Sequence, residues 1–163
     1  MSEHDKLLVV DNLNIEYRTS DGTFHAVNGI SFELGYRETL GLVGETGAGK
    51  TTTALAIMQL LPERTSFITK GKILFKGENL ITKKKSEMQS IRGGSISMIF
   101  QDPMACLNPL ITVGDQIKEV LNIHKYADAS DNSVDEQCAN LFKMVGIAPE
   151  RAREFPGQFT DVR

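Results

Sequence analysis

The chain has 163 residues, 40% hydrophobic and 24% charged, which suffices to bury one real core and is ordinary for a globular protein. A formal net charge of −3 offers no global basic field, so nucleic acid is not expected as a partner. No apolar run nears the roughly 20 residues that span a bilayer, Met1–Lys6 has no signal pattern, and Cys106 and Cys138 lack the spacing of a disulfide framework or zinc site.

In chain order, Leu7–Tyr17 reads as a strand with a polar interruption at Asp11–Asn12. Asp21–Gly22 is a hairpin signal, and Thr23–Leu34 reads as further extended structure. Glu38–Val43 is a short apolar run that predicts a buried strand, and Thr52–Leu61 predicts a helix stopped by Pro62. Between them stand Gly44, Glu45, Thr46, Gly47, Ala48, Gly49, Lys50 and Thr51, which fit G-x-x-x-x-G-K-[ST].

That spacing carries a mechanism. A glycine-rich turn opening a helix presents backbone N–H groups to an anion, and the helix dipole adds to the attraction. Gly44 and Gly49 permit a close approach of backbone to phosphate, and Gly47 loosens the middle of the loop. Lys50 is suited to the β- and γ-phosphates, and Thr51 to Mg²⁺; Thr52 follows in the first helical turn. The pattern predicts a bound nucleoside triphosphate.

Beyond Pro62, Gly71–Gly77 reads as a short strand and Lys83–Lys85 as a solvated charged face. Ser95–Phe100 reads as a second buried strand ending at Gln101–Asp102–Pro103. Pro103 and Pro109 make the next segment irregular. Val113, Ile117, Val120, Leu121 and His124 recur at helical spacing. Ser133 with Glu136 three residues on predicts the start of another helix, running to about Val145 and stopped by Gly146. Pro149–Phe155 reads as a short helix or turn.

Three segments together carry a family pattern: the early strand with Tyr17, the phosphate loop, and Ile99–Pro109, which reads Ile-Phe-Gln-Asp-Pro-Met-Ala-Cys-Leu-Asn-Pro. They resemble the ATP-binding subunits of ABC transporters, and the last resembles the Q-loop region of the dipeptide, oligopeptide and nickel importers. Ala26–Phe32 and Gly41–Glu45 are similar to that subfamily as well. The resemblance implies an α/β P-loop NTPase fold with N-terminal antiparallel β structure and a helical subdomain. It divides the chain into an ATP-binding core over 1–101 and a helical subdomain over 102–163.

The resemblance also implies roles. Tyr17 would stack on adenine, with Phe24 as a rival, and Gln101 would contact Mg²⁺ or the attacking water. ATP and Mg²⁺ would be the cofactors. Membrane permease subunits and a second, homologous ATP-binding subunit would be the partners, on the inner face of the cell membrane. The pattern departs from the family at Phe155–Arg163: Phe155, Pro156, Gln158 and Phe159 fit the approach to the signature motif, but Thr160–Asp161–Val162 replaces its Ser-Gly-Gly core. Asp161 has the wrong sign for contact with a phosphate. No Walker B Asp, catalytic Glu or switch His is found in the chain, so the expectation is a truncated cassette, with the C-terminal part of its core missing, that binds ATP without efficient hydrolysis. A noncatalytic interaction module and a stand-alone P-loop kinase or GTPase are the alternatives.

Overall fold

The computed structural model describes residues 6–124 and 133–159. They divide into two compact units, one ending at Arg92 and the other beginning at Gly93. The first is built on an antiparallel sheet of β1 (Lys6–Thr19), β2 (Gly22–Gly35), β3 (Ser66–Phe75) and β4 (Glu78–Asn79), in the order β2-β1-β3-β4. The β1–β2 turn pairs Thr19 with Gly22 and so centres on Ser20–Asp21, one residue before the Asp-Gly pair.

The polar interruption at Asp11–Asn12 does not break β1. Asn12 takes a positive φ of 47°, and the register shifts there against both neighbouring strands. Its N–H donates to Ser31 Oγ (2.8 Å), and the Asn14 side-chain amide donates to its carbonyl (2.7 Å), so the bulge keeps its polar groups satisfied. Gly71, at φ 106°, fits against this bulge; a Cβ there would stand 2.5 Å from the Asn12 carbonyl oxygen.

Helix α1 (Lys50–Ile57) is shorter than its apolar pattern suggests. It ends in a Schellman turn: Gln59 takes φ 49°, its N–H donates to the Ala56 carbonyl (3.0 Å), and the Leu60 N–H donates to that of Leu55 (2.8 Å). Arg92 locks this end, its Nε donating to the Met58 carbonyl and its Nη2 to that of Gln59, each at 2.7 Å. The Gln59 side-chain amide donates to the Leu80 carbonyl, at the start of a 3₁₀ turn over Leu80–Thr82. Helix α2 (Lys85–Ile91) follows, its first N–H side capped by Glu87, which accepts from the Lys84 N–H (2.8 Å). Val10, Leu13, Ile15, Val27, Ala56, Met58, Ile73, Leu80 and Met88 form the buried apolar set of this unit.

Both expected buried strands, one leading into the phosphate loop and one leading to Gln101, are absent. Glu38–Val43 and Ser95–Phe100 form no strand, and Val43 and Ile99 are each 90% exposed. An apolar run becomes a central strand only where neighbouring strands satisfy its N–H and C=O groups on both edges, and no described strand pairs with either segment.

The second unit is helical. Helix α3 (Val113–His124) spans the predicted range, started by Thr112, whose hydroxyl donates to Asp115 Oδ2 (2.7 Å) and accepts from the Asp115 N–H (3.2 Å). Helix α4 (Val134–Met144) begins as expected: Ser133 Oγ accepts from the Glu136 N–H (3.3 Å), and Gly146 follows the end at φ 74°. Leu121, Cys138 and Phe142 form the core, packed by Val113, Ile117, Val134, Ile147, Ala152 and Phe159. Burial pushes the Cys138 thiol up from its ordinary value, and both cysteines are free. Pro149–Arg153 and Pro156–Phe159 are 3₁₀ turns. No described helix is long and apolar enough to cross a membrane.

Candidate nucleotide-binding site

The loop Gly44–Gly49 leads into α1 with its special conformations at its glycines: φ is 156° at Gly44, 85° at Gly47 and 80° at Gly49. Gly49 is the N-cap of α1, left-handed and buried. A Cβ at Gly49 would stand 2.4 Å from the Ala26 carbonyl oxygen and 3.1 Å from Val27 Cγ2, so the loop rests on β2 at a distance only glycine allows. β2 is irregular at that point. Ile15 pairs with Val27 but Glu16 pairs with His25, which leaves Ala26 as an extra residue.

Lys50 spans the loop it follows. Its Nζ donates to the carbonyl oxygens of Gly44 (2.5 Å) and Glu45 (2.6 Å), pinning the first two loop residues to the helix start. An ammonium has three protons, so one remains for an anion in the loop. The Ala48 N–H donates to the Glu45 carbonyl (3.1 Å), tightening the turn, and the first α1 bond runs from the Thr53 N–H to the Gly49 carbonyl (2.8 Å). The N–H groups of Lys50, Thr51 and Thr52 precede that bond, as in any helix start, and form with the dipole an anion-binding end.

The three threonines divide by environment. Thr53 is buried and its hydroxyl donates to the Gly49 carbonyl (2.8 Å), while Thr51 is exposed and Thr52 half-buried. Of the three, Thr51 presents a hydroxyl at the surface beside the loop, the residue type that suits a magnesium ion among phosphates. The donor set of this loop therefore fits both a triphosphate and its metal.

Tyr17 is half-buried on β1 and pairs directly with Phe24 on β2. Gln101 lies in the second unit, exposed at a bend. The segment after it is held locally: the Ala105 N–H donates to Asp102 Oδ1 (3.4 Å), and Gln116 accepts from the Asn108 N–H (2.9 Å) while donating to the Asn108 and Ile111 carbonyls, each at 3.0 Å. Sequence reading missed this Gln116 clamp and the Thr112 cap. Thr112-x-x-Asp115 is a readable capping pattern, whereas nothing local marks Gln116.

At the chain's far end, Phe159 packs on Phe142 (centroids 6.5 Å apart) and under the Arg151 guanidinium (4.4 Å). Gln158 Oε1 accepts from the Phe155 N–H (2.7 Å), and Arg151 pairs with Glu154 (2.8 Å). Thr160, Asp161 and Val162, which replace the expected motif core, lie outside the described residues.

An antiparallel sheet packed on a helix that opens from a lysine-spanned glycine loop defines a P-loop protein of the ATP-binding cassette fold. More particularly, the chain belongs to the ABC transporter family, whose model matches residues 27–161. It is 44% identical over 96% of its length to a dipeptide transport ATP-binding protein, DppD, of Bacillus subtilis (strain 168), and covers 47% of that protein. It is 43% identical over 95% of its length to the oligopeptide transport ATP-binding protein OppD of the same organism, covering 43% of it. The chain thus spans about half the length of the curated relatives it matches. Among solved structures, the dimeric ATP-binding cassette MJ0796 in a post-hydrolysis state with ADP and phosphate aligns with a TM-score of 0.77 at 20% identity, over 94% of this chain and 63% of that one, a likeness of fold.

Proposed function

We propose that this chain is the nucleotide-binding portion of an ATP-binding subunit of a peptide importer. Gly44, Glu45, Thr46, Gly47, Ala48, Gly49, Lys50, Thr51 and Thr52 hold the phosphates of ATP, Thr51 serves Mg²⁺, and Tyr17 meets the base; Gln101, in the second unit, is assigned to catalysis on the family resemblance alone. The observation that carries the reading is Lys50, tied to the Gly44 and Glu45 carbonyls with one proton left for a phosphate. The relatives at 43–44% identity are a dipeptide and an oligopeptide transport ATP-binding protein, which supports peptide transport as the process served. Thr51 would hold a magnesium ion, which would supply positive charge against the negative charge of the phosphates.

In this reading the residues around Gln101 and the helical unit over 102–163 communicate with membrane permease subunits at the inner face of the membrane. A second ATP-binding subunit completes the assembly. The residues of the first unit bind and orient the nucleotide: Lys50 counters the phosphate charge and the α1 N–H groups fix the oxygens. None of these groups is a carboxylate base. The 163-residue chain by itself is therefore expected to bind Mg–ATP and to release phosphate negligibly. Calorimetric titration and a phosphate-release assay on wild type and Lys50→Ala test this. Loss of binding in Lys50→Ala is expected, and robust Lys50-dependent turnover by the isolated chain would refute the account.

A further inference from the structure

The sheet beside the phosphate loop carries two aromatic rings on one face. β1 pairs without irregularity against β3 from Ile15 to Tyr17, so these two residues, two positions apart, share a face of the sheet. Ile15 pairs with Val27, and Gly49 of the loop packs on Val27 Cγ2 and the Ala26 carbonyl. The Ile15 face is therefore the loop's face, and Tyr17 lies on it, displaced by two residues, or about 7 Å, toward the hairpin tip. Phe24 is the direct cross-strand partner of Tyr17, and direct partners share a face.

The remaining aromatic nearby is placed differently. Phe67 pairs with Glu16, on the opposite face, and lies under the Arg18 guanidinium at 4.4 Å. Glu16 on that face is engaged by Arg18 (3.3 Å) and His25 (3.4 Å). Tyr17 and Phe24 are thus the aromatic pair on the loop side. Phe24 is 61% exposed, so its ring is accessible to a ligand on that face.

We propose that Phe24 is a second base-contacting residue, so that the nucleobase of a nucleotide held by Gly44–Thr51 lies against a two-ring surface formed by Phe24 and Tyr17. This rests on the nucleotide-binding reading above and adds a specificity residue to it. Aromatic rings on two neighbouring strands favour a ligand that carries an aromatic base over one that carries phosphates alone.

The test compares Mg–ATP with Mg–tripolyphosphate by calorimetry on the 163-residue chain, for wild type, Tyr17→Ala, Phe24→Ala, Phe24→Trp and Lys50→Ala. Phe24→Ala is expected to weaken ATP roughly five- to tenfold while leaving tripolyphosphate within about twofold, with Phe24→Trp restoring ATP binding. Unchanged ATP affinity in Phe24→Ala, with loss only in Tyr17→Ala, overturns the proposal, as does an equal loss for both ligands. Tripolyphosphate binding that is indifferent to Lys50→Ala instead overturns the phosphate-loop reading itself, so the two failures are distinguishable.

Discussion

Gly49→Ala and Gly47→Ala form a matched pair that separates two reasons for a glycine in this loop. Both positions have nearly the same positive φ, 80° and 85°. Both substitutions therefore incur the left-handed penalty of an L-residue, about 1–2 kcal/mol. They differ in surroundings. A Cβ at Gly47 meets nothing within 4 Å, whereas at Gly49 it would stand 2.4 Å from the Ala26 carbonyl oxygen, and that atom is backbone and cannot rotate aside. Relieving the overlap requires α1 to lift off β2 or β2 to give at its bulge, an overpacking cost of about 1–3 kcal/mol. Gly49→Ala is thus expected to lose about 2–5 kcal/mol and Gly47→Ala about 1–2, read from urea denaturation midpoints at constant m value. Near the transition the extra loss corresponds to about 2–4 °C per kcal/mol. Mg–ATP affinity should fall further in Gly49→Ala, because the same shift moves the Lys50 anchor away from the Gly44 and Glu45 carbonyls. Equal destabilisation in the two variants would refute the idea that contact with β2 positions the loop.

Two other expectations concern what holds the first unit. Arg92→Met keeps the aliphatic stem but removes both donors from the Met58 and Gln59 carbonyls, and should cost about 1–3 kcal/mol by denaturation, with loss of helical circular dichroism. The Glu78–Lys83 pair sets a pH dependence: the hydrogen bond from Lys83 lowers the Glu78 carboxyl below its usual range, and Glu78 raises the Lys83 ammonium. Its contribution is present above the unfolded Glu pKa and lost as pH falls through the lowered folded value. At the alkaline end it is present below the unfolded Lys pKa and lost as pH rises through the raised one. Glu78→Gln should flatten both limbs of a stability–pH profile slightly, and the effect should shrink in high salt because the pair is at the surface.

Sequence alone determined the elements whose causes are local. The lysine and glycines of Gly44–Thr51 point to an anion loop from sequence alone, because the donors of such a loop are its own backbone. Helix α3 matched its predicted range because its apolar spacing is a property of a dozen neighbouring residues, and α4 began at Ser133 because a cap acts over three. The family was legible for the same reason: Ile99–Pro109 is a continuous pattern.

Tertiary structure decided what depends on distant partners. Glu38–Val43 and Ser95–Phe100 have strand composition, yet strand formation is settled by ladder partners elsewhere in the chain, which none of the described strands supplies. The end of α1 is held by Arg92, 33 or 34 residues away, in place of the nearby Pro62. The face shared by Tyr17 and Phe24 follows from a cross-strand register that no window of sequence contains, since a shift of one residue would have put them on opposite sides. The phosphate contacts proposed for this chain are written locally in its loop; the face proposed to meet the base was set by how two strands pair.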